Sequence, residues 1–258
     1  SFHSTNLNTK FINLLFQKVN GSYLSLGDLF RETKRLSGTS SNNRNFTLLG
    51  DPALRLAHPE FDIVTTSIQD TLKALSEVNI EGEISSNNAI LSTFNGTIYP
   101  TVYDKKFIRS TLGQESSTPM LYRDQNNILY KGAASVVNGK FSFSFIVPKD
   151  ISYNFGEGKI SYYAYDENQK VDARGSNKDF IIGGVADNII YDYDGPEVRL
   201  YMNNREFLDG GITNSSPVLI VDVFDLSGIN MSGNGIGHDI VAILDDNNQY
   251  PYVLNDYY

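Results

Sequence analysis

The spacing of apolar residues changes near residue 60 of the chain. Before that point, apolar side chains recur at the three-to-four-residue interval of one helix face, which predicts a helix from Leu7 to Val19 ended by Asn20-Gly21. Ser25 and Asp28 have the spacing of a capping box and predict the start of a second helix. A polar loop over residues 37–45 then leads into a predicted strand, FTLL.

From about Val64 onward, apolar and polar residues alternate, as in half-buried strands. The clearest case is AASVVNGKFSFSFIVP, where Asn138-Gly139 predicts a β-hairpin because both central residues of a type I′ turn need positive φ. Short strands separated by turn-rich loops predict an antiparallel β-sandwich. The further predicted strands are Val78 to Ile84, Gly96 to Tyr103, Ile128 to Val137, Lys159 to Tyr165 and Asp179 to Gly183.

Three domains follow from these patterns. Two helices and one strand need a sheet to pack on, so we expect residues 1–57 to end an α/β domain whose main body precedes Ser1. Residues 58–190 are predicted to form one β-sandwich. A weak repeat matches NIEGEI and GTIYPTVYD to LIVDVF and DIVAILD, which predicts a second sandwich in residues 191–258. That second domain is expected to be incomplete, since such a sandwich needs about 100 residues.

Composition removes several classes of function. The chain has 21 basic and 30 acidic residues, a net charge of −9, which disfavours nucleic acid and anionic bilayers as partners. It has no apolar run of membrane-spanning length and no basic-then-apolar leader, so no transmembrane segment is predicted. Cysteine is absent, which excludes disulfides, thiolate metal sites and a cysteine nucleophile within these residues.

The stretch RNFTLLGDPALRLAHPEF holds two candidate catalytic residues. Asp51 could be a catalytic carboxylate at a strand end, but turn chemistry favours a role within its own Gly-Asp-Pro turn. His58 could be a base, but it precedes Pro59 with no acidic orienter nearby and is expected to be a surface linker residue. The adjacency of His3 and Ser4 says nothing about a spatial triad.

Acidic loops near the C-terminus are the candidate metal sites. Their oxygen ligands suit Ca²⁺, although Asx turns explain the same residues without a metal. The three histidines are too scattered to predict a metal cluster. We therefore expect no cofactor, with structural calcium as the alternative. The candidate ligands are Asp222, Asp225, Asn230, Asn234 and Asp239 in one loop, and Asp192 and Asp194 in the other.

A row of phenylalanines in the predicted hairpin has two interpretations. Phe141, Phe143 and Phe145 occupy alternate positions, so their side chains share one face of a strand. That face could be a stacking platform for sugars, but an inward-facing core strand is favoured.

Several blocks resemble one family. FTLLGDPALRLAHPEF, preceded by NLNTKFINLLFQKVNG and LSLGDLFRETKRL, resembles the C-terminal end of the gingipain-type cysteine peptidase domain. The blocks NGKFSFSFIVPKDISYNFGEGKISYYAYD, DGPEVRLYMNN and SGINMSGNGIGHDIVAILDD extend the resemblance to the sortase-like peptidases of the type IX secretion system of Bacteroidota. The resemblance runs over essentially the whole chain.

The resemblance implies a caspase-like α/β peptidase domain followed by immunoglobulin-like β domains, at the extracellular face of the outer membrane. Such enzymes remove the C-terminal sorting domain of cargo proteins and attach the new carboxyl end to a lipopolysaccharide-linked anchor, through a cysteine activated by a histidine. No catalytic residue can be assigned here, because the chain has no cysteine and its histidines lie outside the blocks that resemble the family's catalytic motif. The expected partners are the rest of the peptidase domain, an outer-membrane protein of the secretion system and cargo.

Two other hypotheses stay open from the sequence. The chain could be a non-catalytic cell-surface adhesin or glycan-binding module that uses the same β domains. It could also be a gene product that has lost the catalytic half and keeps partner binding alone.

Overall fold

The computed structural model describes residues 2–39, 41–114, 117–187, 194–226, 228–229, 240–254 and 257. The chain folds as two compact units, Ser1–His58 and Pro59–Tyr258. The further boundary expected near residue 190 stays a prediction. No helix in the described part of the chain is long and apolar enough to cross a membrane.

The described residues of the first unit form three helices and a small hairpin. Its elements are α1 (Phe2–Leu15), β1 (Lys18–Val19), β2 (Ser22–Tyr23), α2 (Leu26–Leu36) and α3 (Ser41–Asn45). Helix α2 begins as the capping box predicts, because the Ser25 Oγ accepts a hydrogen bond from the Asp28 N–H at 3.2 Å. At its other end, the Asn43 Nδ2 donates to the Lys34 carbonyl at 2.8 Å, so α3 caps the carboxyl end of α2.

Three local predictions in this unit are wrong. Asn20-Gly21 does not cap a helix but forms the turn between β1 and β2, with φ of 51° and 79° as a type I′ turn requires. The predicted loop over residues 37–45 contains α3. FTLL is not a strand, since no ladder partner pairs with residues 46–49 in the described chain.

The second unit is built of strands, and the mainly β fold class is confirmed. In order they are β3 (Phe61–Ser67), β4 (Thr71–Ala74), β5 (Glu77–Ser86), β6 (Ala89–Ile90), β7 (Gly96–Tyr103), β8 (Phe107–Ser110), β9 (Leu121–Asp124), β10 (Ile128–Lys131), β11 (Ala134–Val136), β12 (Lys140–Ile146), β13 (Gly156–Glu157), β14 (Lys159–Asp166), β15 (Val171–Asn177), β16 (Ile181–Val185), β17 (Glu197–Met202), β18 (Leu219–Phe224), β19 (Val241–Ala242) and β20 (Tyr252–Val253).

The main sheet has the order β10-β7-β14-β15-β3-β5-β12, with β11 also on β7 and β6 also on β5. A smaller sheet has the order β13-β16-β4. One continuous core contains buried side chains from both, among them Ile80, Ile98, Ile160, Leu72 and Ile182. The prediction of a purely antiparallel arrangement is wrong at two pairs, since β15 runs parallel to β3 and β16 parallel to β4.

The turn at Asn138-Gly139 is confirmed, but the hairpin is shorter than predicted. Both residues have positive φ, 51° and 74°, and a single bridge joins Val137 to Lys140. Beyond this bridge, β11 pairs with β7 and β12 pairs with β5. The turn therefore links the two ends of the main sheet.

Within the described C-terminal residues there are two separate strand pairs, β17 with β18 and β19 with β20. The strand-like runs EVRLYM and PVLIVDVFD correspond to β17 and β18. Only two residues of the predicted strand IVAILDD are in β19.

Candidate functional site

The Gly-Asp-Pro turn lies against the amino end of helix α2. The first N–H groups of a helix have no partner within the helix. Here the Leu26 N–H donates to the Leu54 carbonyl and the Gly27 N–H donates to the Pro52 carbonyl, each at 2.8 Å. Residues 51–54 therefore cap α2, and we call this junction the α2 seam.

Asp51 stabilises the turn at the seam. Its Oδ1 accepts a hydrogen bond from the Ala53 N–H at 2.8 Å, which is an Asx turn. Its carbonyl accepts from the Leu54 N–H at 3.3 Å. The predicted structural role of Asp51 is confirmed.

Close packing at the seam depends on a glycine that the sequence pattern does not single out. A Cβ on Gly27 would lie 2.7 Å from the Pro52 Cβ and 2.9 Å from the Pro52 oxygen. Such distances are well inside van der Waals contact, so only glycine lets helix and turn approach this closely.

His58 is part of an aromatic cluster. Its ring stacks on Tyr23, with centroids 3.8 Å apart and planes at 19°, and meets Phe16 edge-on at 6.0 Å. Arg55 donates to the Tyr23 carbonyl from the same segment. His58 is half-buried and is the last residue of the first unit, at the position expected of a linker residue. The sequence did not predict its contact with the β1–β2 hairpin. His3 and Ser4 lie in α1, and their side chains are outside the described residues.

Most of the candidate calcium ligands either lie outside the described residues or have another partner. The Asp222 carboxylate accepts two hydrogen bonds from Arg205, both at 2.9 Å, and these hold its pKa below the usual value. Asp225 borders the cleft described below, and Asp194 is exposed. Asn230, Asn234, Asp239 and Asp192 lie outside the described residues. The described residues contain no cluster of three potential metal ligands.

The phenylalanine row is inside the protein. Phe141, Phe143 and Phe145 are all buried, whereas the serines between them face outward. Tyr130 stacks on Phe143 and Phe145, with centroids at 5.4 and 4.8 Å. The inward interpretation is confirmed, and a sugar platform on this row is wrong.

One cleft lies between the main sheet and the segment after β18. Its volume is about 220 Å³, and Tyr130, Phe145, Ile146 and Phe224 line it with Glu77 and Asp225 at its margin. Typical ligand pockets hold about 300–1,000 Å³, so this cleft is too small for most cofactors. A Cβ on Gly228 would lie 2.6 Å from the Ile146 Cβ, which makes the cleft a packing junction.

Two buried acidic residues are not among the candidate site residues that the sequence predicts. Asp166 accepts hydrogen bonds from the N–H groups of Asn95, Asn168 and Gln169 at 2.9–3.1 Å. These bonds, that of Asn95 foremost, lower the pKa of Asp166. Asp104 forms a buried ion pair with Lys105 at 2.9 Å. In both cases the available signal is an acidic residue at the end of an alternating strand, Asp166 as the last residue of β14 and Asp104 directly after β7.

The α2 seam lies in a part of the chain that matches a known peptidase family. The model of peptidase family C25 matches residues 1–57, which include α1, α2 and the whole Gly-Asp-Pro turn. Residues 1–57 are similar to peptidase family C25. We call them the C25 segment.

Solved structures extend the likeness beyond the C25 segment. Dimeric latent PorU from Porphyromonas gingivalis is 32% identical at a TM-score of 0.55, and the match covers 94% of this chain. The chain spans 24% of the PorU chain. Both the C25 segment and the β unit thus have a counterpart in one protein, and the expected resemblance is confirmed.

Other structures are more distant. Spo0M, a sporulation control protein from Bacillus subtilis, is 11% identical at a TM-score of 0.31, covering 50% of this chain and 51% of its own. A DUF4466 family protein from Parabacteroides merdae is 10% identical at a TM-score of 0.26, covering 57% and 52%. Neither score establishes a shared fold. No curated protein matches the chain.

Proposed function

We propose that this chain serves as the non-catalytic, β-rich part of a PorU-like cysteine peptidase of the type IX secretion system. The observation that carries the proposal is the 32% identity to PorU over 94% of the chain, across two structurally different units. In this proposal the whole enzyme removes the C-terminal sorting domain of cargo proteins and attaches them at the cell surface. The partners are the rest of the peptidase domain, cargo and an outer-membrane protein of the secretion system.

The chemistry of the residues supports a structural role for this chain. A cysteine peptidase needs a thiolate and a nearby base, and the sequence has no cysteine. The candidate groups within the C25 segment are engaged in structure, Asp51 in its own turn and His58 against Tyr23. The thiol would have to come from outside these 258 residues.

The first experiment incubates the purified chain with a cargo protein that carries a C-terminal sorting domain. We expect no cleavage over the period in which P. gingivalis PorU processes the same cargo. Cleavage by the chain alone would contradict the structural role.

The second experiment replaces the matched quarter of P. gingivalis PorU by this chain and expresses the chimera in cells that lack PorU. We expect sorting-domain removal to be restored, whereas PorU with that quarter deleted should not restore it. A chimera that is present at the surface, folded, and yet leaves cargo uncut would count against the proposal.

The surface on which the adhesin hypothesis placed sugars is not exposed. That hypothesis placed sugars on the row from Phe141 to Phe145, and these side chains are in the core. The PorU likeness is therefore the better basis for the function of the chain.

A further inference from the structure

The outward face of three neighbouring strands, β7, β14 and β15, carries four tyrosines. The β7–β14 register places Tyr99 opposite Tyr163 and Thr97 opposite Tyr165, with Tyr103 further along β7 opposite Lys159. On the other side of β14, Arg174 lies opposite Tyr163 and Asp172 opposite Tyr165. Directly opposed residues share a face, so these side chains form one surface. We call it the tyrosine face.

At the centre of the tyrosine face, Tyr99 and Tyr163 leave their rings open to solvent. Their centroids are 6.4 Å apart with planes at 24°, an offset arrangement. Tyr99 is 46% exposed and Tyr163 is 43% exposed. Two nearly parallel, partly exposed rings on neighbouring strands therefore offer an aromatic surface.

Polar groups hold this surface in place. The Tyr163 hydroxyl donates to the Asp172 Oδ2 at 3.3 Å, and the Lys159 Nζ lies 4.8 Å from the centroid of the Tyr103 ring. Partial burial and the Asp172 charge raise the pKa of Tyr163. Tyr163 and Tyr103 thus each have a polar neighbour that favours one orientation of the ring.

The composition of the face decides between classes of ligand. β7, β14 and β15 are fully described, and none of their outward positions carries an aliphatic side chain; threonine, serine and charged residues surround the tyrosines. A lipid surface requires a broad apolar face, and the centre of a protein interface is enriched in apolar side chains. The Asp172 carboxylate and the net charge of −9 disfavour a polyanion such as nucleic acid.

We propose that the tyrosine face binds an extended saccharide chain. The C–H groups of a sugar ring carry partial positive charge and pack on the negative face of an aromatic ring. The hydroxyl groups around the edge of a sugar can pair with the Asp172 carboxylate, the Arg174 guanidinium and the flanking hydroxyl side chains. Tyrosines lie at three levels along the strands, Tyr103, then Tyr99 with Tyr163, then Tyr165. Such a row can contact several consecutive sugar units, which suits a polysaccharide better than a monosaccharide. This site is distinct from the buried phenylalanine row and does not rest on the proposed peptidase role.

The test is affinity gel electrophoresis of the full chain in gels that contain mannan, dextran, xylan or the polysaccharide released from a bacterial lipopolysaccharide. We expect at least one of them to retard the chain. Tyrosine fluorescence, which has no tryptophan background because the chain contains none, then gives the affinity. The absence of retardation by all four polysaccharides would overturn the proposal.

Substitutions of single tyrosines test whether the saccharide binds at the tyrosine face or at the protein surface in general. Tyr99→Ala and Tyr163→Ala should each weaken binding by about tenfold, whereas Tyr163→Phe keeps the ring and most of the affinity. Tyr122→Ala is the matched control, since Tyr122 in β9 is also 46% exposed but lies outside the tyrosine face. An equal loss in Tyr122→Ala, or full binding by Tyr99→Ala, would overturn the assignment. Circular dichroism verifies that each variant is folded, and Tyr163→Phe with Tyr99→Ala suffices where Tyr163→Ala does not fold.

Discussion

Single residues at the α2 seam explain why the chain turns so sharply between two apolar runs. Gly27 and Pro52 let the turn approach the helix end closely enough for the two carbonyls to accept the free N–H groups. Asp51 then locks the turn from its own side chain. The abrupt turn is thus a helix cap.

Substituting Gly27 by alanine tests this interpretation. Alanine favours a helix over glycine by up to about 1 kcal/mol, so without the seam the variant would be more stable. The clash with Pro52 should instead lower the free energy of unfolding by about 1–3 kcal/mol. Urea unfolding followed by circular dichroism measures it. Arg31→Ala, at an exposed position of the same helix, is the control and should change stability by less than about 1 kcal/mol. A raised midpoint for Gly27→Ala would contradict the seam.

The stability that Asp166 contributes should depend on pH. Asp166 is 1% exposed and accepts three backbone N–H groups, and its folded-state pKa is below the value of the unfolded chain. A depressed carboxylate pKa contributes stability above the unfolded pKa, and this contribution is lost as the pH falls through the folded pKa. Stability supplied by Asp166 should therefore be complete above about pH 5 and decline on further acidification.

The variant Asp166→Asn has no carboxylate and should lack this acid-dependent part. At neutral pH it should lose about 1–3 kcal/mol, because an amide NH₂ cannot accept from the facing N–H groups. Urea midpoints at neutral and acid pH measure both effects, with the exposed Asp62→Asn as control. If the stability of Asp166→Asn falls with acid as steeply as that of the unsubstituted chain, Asp166 is not the group responsible.

At the scale of elements, alternation along a strand decides which side chains reach the core. In β12 the phenylalanines are buried and the serines exposed. Phe143→Ala should lower the free energy of unfolding by about 3–5 kcal/mol, since it also removes one of the rings that stack on Tyr130. Ser142→Ala, one position away, should stay within about 0.5 kcal/mol. Thermal or urea unfolding compares the two, and similar losses would contradict the register of β12.

Elements with strict alternation could be predicted from the sequence, and β7 has the bounds that the pattern gives. Elements whose pairing partners are distant in the sequence could not be predicted from it. Asn-Gly is a signal for both a helix end and a type I′ turn, so Asn20-Gly21 is ambiguous until Lys18 is seen to pair with Tyr23. Likewise β11 and β12 are neighbours in sequence, yet their ladders form with β7 and β5.

The same limit applies to the candidate sites: contacts between residues close in the sequence could be predicted, and contacts between distant residues could not. The role of Asp51 was predictable, because an Asx turn depends on neighbours two residues away. The stacking of His58 on Tyr23 and the packing of Gly27 on Pro52 were not, since each joins residues far apart in the sequence. The tyrosine face needs the register of three strands and so was also invisible in the sequence.

At the scale of the whole molecule, the C25 segment exposes many large apolar side chains. This is expected of a segment that packs against the rest of a peptidase domain, as the proposed function requires. Those exposed are Ile12, Phe16, Val19, Leu36, Phe46, Leu49, Leu54 and Leu56.

Exposed apolar surface of this kind should make the isolated chain self-associate, and sedimentation velocity over a range of concentrations measures it. The variant Leu49→Ser should associate less, while its stability changes by only about 0.5 kcal/mol because Leu49 is 93% exposed. Ile212→Ser, at a 99% exposed position of the second unit, is the control and should associate like the unsubstituted chain. Association should strengthen toward pH 4.8, the isoelectric point, where the net charge of −9 and its repulsion disappear. A chain that stays monomeric at all concentrations, or an equal effect of Ile212→Ser, would show that the C25 segment does not present an association surface.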